Sequence, residues 1–243
     1  MADPLYLVVN CAETRLQVVL GGLQGCAWSE SFHAPGRAMP LLAPSIARGL
    51  HHFGINAGGL RGIAYVRGPG SFTGLRMSIA HVLGLSQAAN VPVAGLDYLP
   101  LLAVAPALLV NGPLWCIVHS RQKQVYAQKF DCPQKMPAGM PRVFSVHEMR
   151  LELAGSGDCR VLGSGVSRNP ELIPEDSRID ILPEIFNNPG ADILLRAACE
   201  SQYSHTFTPP LYLRPSDAEE NLEAIASRRG MDAAWARREI ESE

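Results

Sequence analysis

Short unbroken apolar runs and helically spaced apolar sets alternate along this chain. Residues 5–9 form one such run, which predicts a central strand. Residues 15–20 and 23–32 predict two more strands, with Gly21-Gly22 as the hairpin turn between them. Met39, Leu42, Ile46, Leu50 and Phe53 recur at helical spacing, and Pro44 places the start of that helix near Leu41, with the proline in its first turn. Residues 62–66 read as a buried strand. Leu75, Ile79, Val82, Leu83 and Leu85 then mark a helix to about Ala89. A short strand at 91–94 and a helix over 99–109 close this first stretch.

A turn at Asn111-Gly112-Pro113 opens a second one. It holds strands at 114–118 and 124–130, an aperiodic loop over 131–141, and a short helix carrying Val146, Met149, Leu151 and Leu153. A strand–turn follows at Arg160 to Gly165. A helix over 191–202 has Ile193, Leu194, Ala197 and Ala198 as its buried stripe. Residues 211–214 are extended, held open by Pro209, Pro210 and Pro215. The order is strand meander, then helix and strand in alternation, which makes the fold class α/β. The predicted division is 1–110, 111–214 and a polar, helix-prone tail over 215–243, whose default is a mobile or partner-bound segment.

The junction from Val66 to Arg76 carries the chemistry-bearing pattern. Gly68, Gly70 and Gly74 permit tight turns between strand and helix, and Ser71 or Thr73 can cap the helix. Free N–H groups at such a helix start attract anions, so Gly68, Gly70, Ser71, Thr73 and Gly74 are candidate nucleotide or anion contacts. Most glycine turns of this kind bind nothing, and no known phosphate fingerprint fits: Leu75-Arg76 stands where a P-loop needs Lys-Ser/Thr.

Arg67-Gly68-Pro69-Gly70-Ser71-Phe72-Thr73-Gly74-Leu75-Arg76 resembles the signature of the bacterial TsaB (YeaZ) family. The similarity continues through residues 91–96, Arg121 with Val125-Tyr126, Gly163-Ser164-Gly165 and residues 210–214. The resemblance implies two ribonuclease-H-like halves of the actin/Hsp70/sugar-kinase (ASKHA) superfamily. It also implies a non-catalytic subunit that supports TsaD in threonylcarbamoyl transfer to adenosine in the tRNA anticodon loop. TsaD is the implied direct partner, TsaE joins in a ternary complex, and a homodimer forms when the chain is alone. The chain has no cofactor of its own, with ATP or ADP at a boundary with a partner. The alternative is an active ATP-dependent small kinase or glycoprotease-like hydrolase of the same fold.

Three departures bear on that choice. Asn10 stands where this fold carries a metal–nucleotide aspartate, and an amide lacks the charge that holds Mg²⁺. Tyr98 and Leu102 stand where TsaD, the catalytic relative, has His-x-x-x-His, two imidazoles one helical turn apart. His119-Ser120 replaces the family's Asp-Ala, and Ala38 lies near its usual histidine. Other polar groups offer less. His51 and His52 point to different faces of one helix, His81 flanks an apolar stripe, and nothing in the spacing brings Glu13 to Asp97. In the family the helices here at 41–53 and 75–89 meet the partner. Leu42, Ile46, Met77, Ser78, His81 and Leu85 are therefore the expected interface residues, although an apolar stripe alone does not separate interface from core.

Charge narrows the partners. Charged residues are 18% of the chain and the net charge is -2, so no basic field draws nucleic acid, and tRNA is reached only through the complex. The six cysteines are scattered without C-x-x-C spacing, which fits reduced thiols in the cytoplasm. Residues 1–4 lack a positive leader region, so no signal peptide is expected. The most apolar window, 91–110, holds Asp97 and three prolines, so no membrane span is expected.

Overall fold

A computed structural model describes residues 4–175 and 178–215. The sequence readings at residues 1–3 and over most of the polar tail lie outside the described residues. Residues up to Leu211 belong to one compact unit, and a second begins at Tyr212, whose described residues 212–215 are irregular.

The first sheet runs in the order β3-β2-β1-β4-β5, with β1 at Tyr6–Asn10, β2 at Arg15–Gly22, β3 at Gly25–His33, β4 at Gly62–Gly68 and β5 at Val93–Asp97. β1 is antiparallel to β2 and parallel to β4. Flanked on both sides, it is buried from Leu7 to Asn10, which is why its apolar run is continuous rather than alternating. Helix α1, Met39–His52, packs on β2 and β3, while α2, Phe72–Ala89, packs on β4 and β1. A Cβ on Gly21 would strike Leu195, whereas Leu20 faces Gly49 of α1. Successive strand residues point to opposite faces, so α1 and α6 (Ala191–Cys199) cover opposite faces of this sheet.

The second sheet has the order β11-β10-β6-β7-β8, with β9 also on β7. Its strands are β6 (Gly112–Arg121), β7 (Gln124–Cys132), β8 (Met136–Pro137), β9 (Arg142–Ser145), β10 (Cys159–Leu162) and β11 (Ile179–Ile181). A separate core forms around Trp115, Ile117, Val125, Phe144, Met149, Leu153 and Val161, with helix α4 (Val146–Gly155) packed in. Ser145 and Glu148 close a capping box at the start of α4. Helix α3, Tyr98–Ala107, contacts β4 of the first sheet and β6 and β7 of the second, so it lies between them.

Several boundaries depart from the periodicity. Gly21 and Gly22 belong to β2, and the turn is Leu23-Gln24. Gly21 is there for the close approach of Leu195, and the positive φ of the hairpin falls on Gly25 at 118°. Helix α1 begins at Met39 with Pro40 in its first turn. Pro44 lies inside the helix on the exposed side, where water can serve the carbonyl it leaves unpaired. In α6 the buried residues are Leu194, Leu195 and Ala198, while Ile193 and Ala197 border an open groove against α3. The turn read at Gly163 to Gly165 continues into a short helix, α5, at Ser164–Arg168. No disulfide joins the six cysteines, and no helix among the described residues is long and apolar enough to cross a membrane.

Candidate functional site

The glycine junction is closed by the β1–β2 turn, residues 11–14. Ser71 caps α2, its Oγ accepting from the Gly74 N–H at 3.3 Å, while its own N–H donates to the Ala12 carbonyl at 2.6 Å. A Cβ on Gly70 would run into the Ala12 carbonyl, and one on Gly74 into the Cys11 carbonyl. Gly68 holds φ at 116°, a value that needs glycine. Close backbone packing therefore accounts for Gly68, Gly70 and Gly74. Two carbonyl oxygens face the loop, and the Ser71 N–H, which an anion would need, is already committed. Thr73 is exposed and caps nothing.

Asn10 is buried and fully used. Its Oδ1 accepts from the Ala12 N–H at 3.0 Å and its Nδ2 donates to Gln17 Oε1 at 2.7 Å; Gln17 Nε2 in turn donates to the Pro189 carbonyl at 2.8 Å. Asn10 thus braces the β1–β2 turn, and through the Gln17 amide the strand pair is tied to the segment entering α6. A metal–nucleotide complex does not fit this residue: its oxygen is taken and the amide itself carries no charge. Restoring the fold's usual carboxylate by Asn10→Asp removes the donor to Gln17 and buries a charge. Such a loss costs about 2 kcal/mol. Denaturant unfolding at pH 8 should show it, and the deficit should shrink towards pH 4 as the buried acid takes up a proton.

Beside this amide pair is a polar cluster that the sequence reading did not assemble. Tyr98, fully buried at the start of α3, donates its hydroxyl to Glu13 Oε2 at 3.0 Å. Ser164, at the start of α5, donates its hydroxyl to Glu13 Oε1 and accepts the His119 N–H at 3.0 Å. The Gly163 N–H donates to Asn187 Oδ1 at 2.7 Å. Burial pushes the Glu13 carboxyl up, against the Ser164 and Tyr98 hydroxyls and the Arg168 charge that pull it down. Burial raises the Tyr98 phenol well above its ordinary range, and Glu13 adds to the effect. Burial and Arg168 lower His119, which favours the neutral imidazole; its Nδ1 has no partner among the described residues. Asp97 does not join this cluster; it accepts from Arg67 Nε at 2.6 Å. Glu13, Ser164 and Asn187 come from three distant segments, and only the fold joins them. The one sequence signal was a carboxylate in the turn after the first strand.

Tyr98 and Leu102 are both buried, so neither presents a donor atom to a metal in an open site. No group of three or more His, Cys, Asp or Glu side chains converges among the described residues.

The expected partner face divides in two. Leu42 and Ile46 are buried where α1 packs on β2, so they are core rather than interface. Ser78 is likewise buried, its hydroxyl donating back to the Gly74 and Leu75 carbonyls at 2.9 and 3.1 Å. Met77 is exposed, and His81 and Leu85 are half-buried. Ala80, Gly84 and Ala88 continue the open face of α2, and a Cβ on Gly84 would meet nothing within 4 Å.

Known proteins share both this sequence pattern and this fold. The family model of TsaD, tRNA N6-adenosine threonylcarbamoyltransferase, matches residues 39–137. The tRNA threonylcarbamoyladenosine biosynthesis protein TsaB of Escherichia coli is 27% identical over 176 residues, covering 67% of this chain and 74% of that protein. YeaZ from Pseudomonas aeruginosa superposes with a TM-score of 0.68 at 22% identity, over 86% of this chain and all of that one. The chain is similar to TsaB in sequence and to YeaZ in fold. A second Pseudomonas aeruginosa structure, described as an uncharacterized protein with similarity to peptidase YEAZ, superposes with a TM-score of 0.70 at 24% identity, over 87% of this chain and 100% of that one. The α/β fold expected from the sequence is therefore present, with two sheets. The TsaD match spans the glycine junction, α2 and α3, including Tyr98 and Leu102.

Proposed function

We propose that this chain is a non-catalytic subunit in the biosynthesis of threonylcarbamoyladenosine in tRNA, acting by binding TsaD. The exposed face of α2 from Met77 through Ala80 and Gly84 to Ala88 carries the reading. Nothing among the described residues covers Gly84, and small residues let a partner helix approach closely. The internal commitments of Asn10, Tyr98 and Leu102 support the non-catalytic role, since each is spent on packing or on the chain's own hydrogen bonds.

In this reading TsaD performs the transfer to the anticodon-loop adenosine and TsaE completes a ternary complex in the cytoplasm. ATP or ADP sits at a boundary with a partner, and the RNA is held by the partners, because a net charge of -2 gives this chain no basic field. When no TsaD is present, the same face pairs two copies of the chain. Reconstitution of tRNA modification with TsaD and TsaE tests it. Product should form only when this chain is added, in proportion to the amount of complex. The purified chain should not turn over ATP, and a turnover that stays with the chain through purification would contradict the reading.

A further inference from the structure

We propose that the Glu13 carboxylate fills, from within the chain, an anion site between the two sheets, and that this internal ligand holds the sheets closed on each other. Ligands of open α/β sheets sit outside the carboxyl ends of the parallel strands. β1 runs parallel to β4 in the first sheet, and β10 parallel to β6 in the second. Glu13 stands just beyond the end of β1, and Ser164 just beyond the end of β10. The place such a ligand would take is therefore held by one of the chain's own side chains.

A count of protons shows what that place accepts. Ser164 Oγ accepts the His119 N–H at 3.0 Å, which leaves its single proton for Glu13 Oε1. The Tyr98 hydroxyl donates to Oε2 at 3.0 Å. Each carboxyl oxygen thus faces a donor, and an ionised carboxylate, which only accepts, satisfies both. The Arg168 charge favours the same anion. One carboxylate thereby joins the β1–β2 turn to α3, to α5 and, through the Ser164 hydroxyl, to the end of β6. Glu13 is half-buried, so a small ion can reach its place from solvent.

The test is chemical rescue in the full chain at neutral pH. Glu13→Ala removes the carboxylate and leaves both hydroxyls without that acceptor, and acetate carries the same group on a small body. In sodium chloride Glu13→Ala should melt below the wild type. In sodium acetate of equal ionic strength it should regain at least about half of the loss, along a saturating curve. The wild type, its site already filled, should melt alike in both salts. If the variant is unfolded in chloride, acetate should restore its folding. Tyr98→Phe keeps the ring and removes one donor to the carboxylate. Exchange of the His119 amide, which is bonded to Ser164 rather than to Tyr98, should then quicken about tenfold, the worth of one hydrogen bond to a charged group. Acetate that helps Glu13→Ala no more than chloride does, or that helps the wild type equally, would overturn the internal ligand. So would a His119 amide that exchanges in Tyr98→Phe as it does in the wild type.

Discussion

Gly70→Ala should fold poorly. A single methyl at this position runs into the Ala12 carbonyl, which is backbone and has no rotamer through which to yield. The same carbonyl accepts the Ser71 N–H, so relieving the clash also pulls at the cap of α2. Overpacking of this kind costs about 3 kcal/mol, a fall in Tm on the order of 10 °C for a chain of this length. Gly84→Ala is the internal control. Its Cβ meets nothing within 4 Å and Gly84 lies mid-helix, so alanine should hold or raise Tm, by up to about 1 kcal/mol in stability. Differential scanning calorimetry of the two variants separates a glycine required by packing from one left open. Equal melting of Gly70→Ala and the wild type would mean that the junction is not packed against the β1–β2 turn.

Gly84→Trp should leave the isolated chain intact and remove its partner. An exposed substitution of this kind changes stability by about 0.5 kcal/mol or less. Across a helix–helix contact made over small residues, an indole would hold the two backbones apart. The expected loss is at least about 100-fold in affinity for TsaD, or roughly 2.7 kcal/mol. Isothermal titration calorimetry of the wild type and Gly84→Trp against TsaD reads it directly. Leu42→Ala and Ser78→Ala serve as the converse pair. Both side chains are buried, so these changes should lower Tm without a separate effect on affinity.

The contrast between these residues shows what the sequence could convey. Apolar spacing on α1 and α2 located both helices, because a buried face imposes its period on the residues. The stripe of Leu75, Ile79 and Val82 marked the buried side of α2, but it could not show that Ser78 joins the core while Met77 stays in solvent. A serine that returns its hydroxyl to its own helix is as compatible with burial as a leucine. Gly21-Gly22 misled for a related reason: glycine marks both turns and close approaches, and only the position of Leu195 tells them apart. The ten-residue junction was legible because its glycines answer to local geometry. Glu13, Tyr98, Ser164 and Asn187 were not, because their meeting depends on two sheets being brought together.

Everything in the functional reading turns on whether this chain acts as a surface for TsaD. Size-exclusion chromatography of the purified chain, alone and with TsaD, measures that. Earlier elution of both proteins as one complex, lost with Gly84→Trp and kept with Gly84→Ala, is the predicted result. Separate elution of wild-type chain and TsaD at micromolar concentration would contradict it.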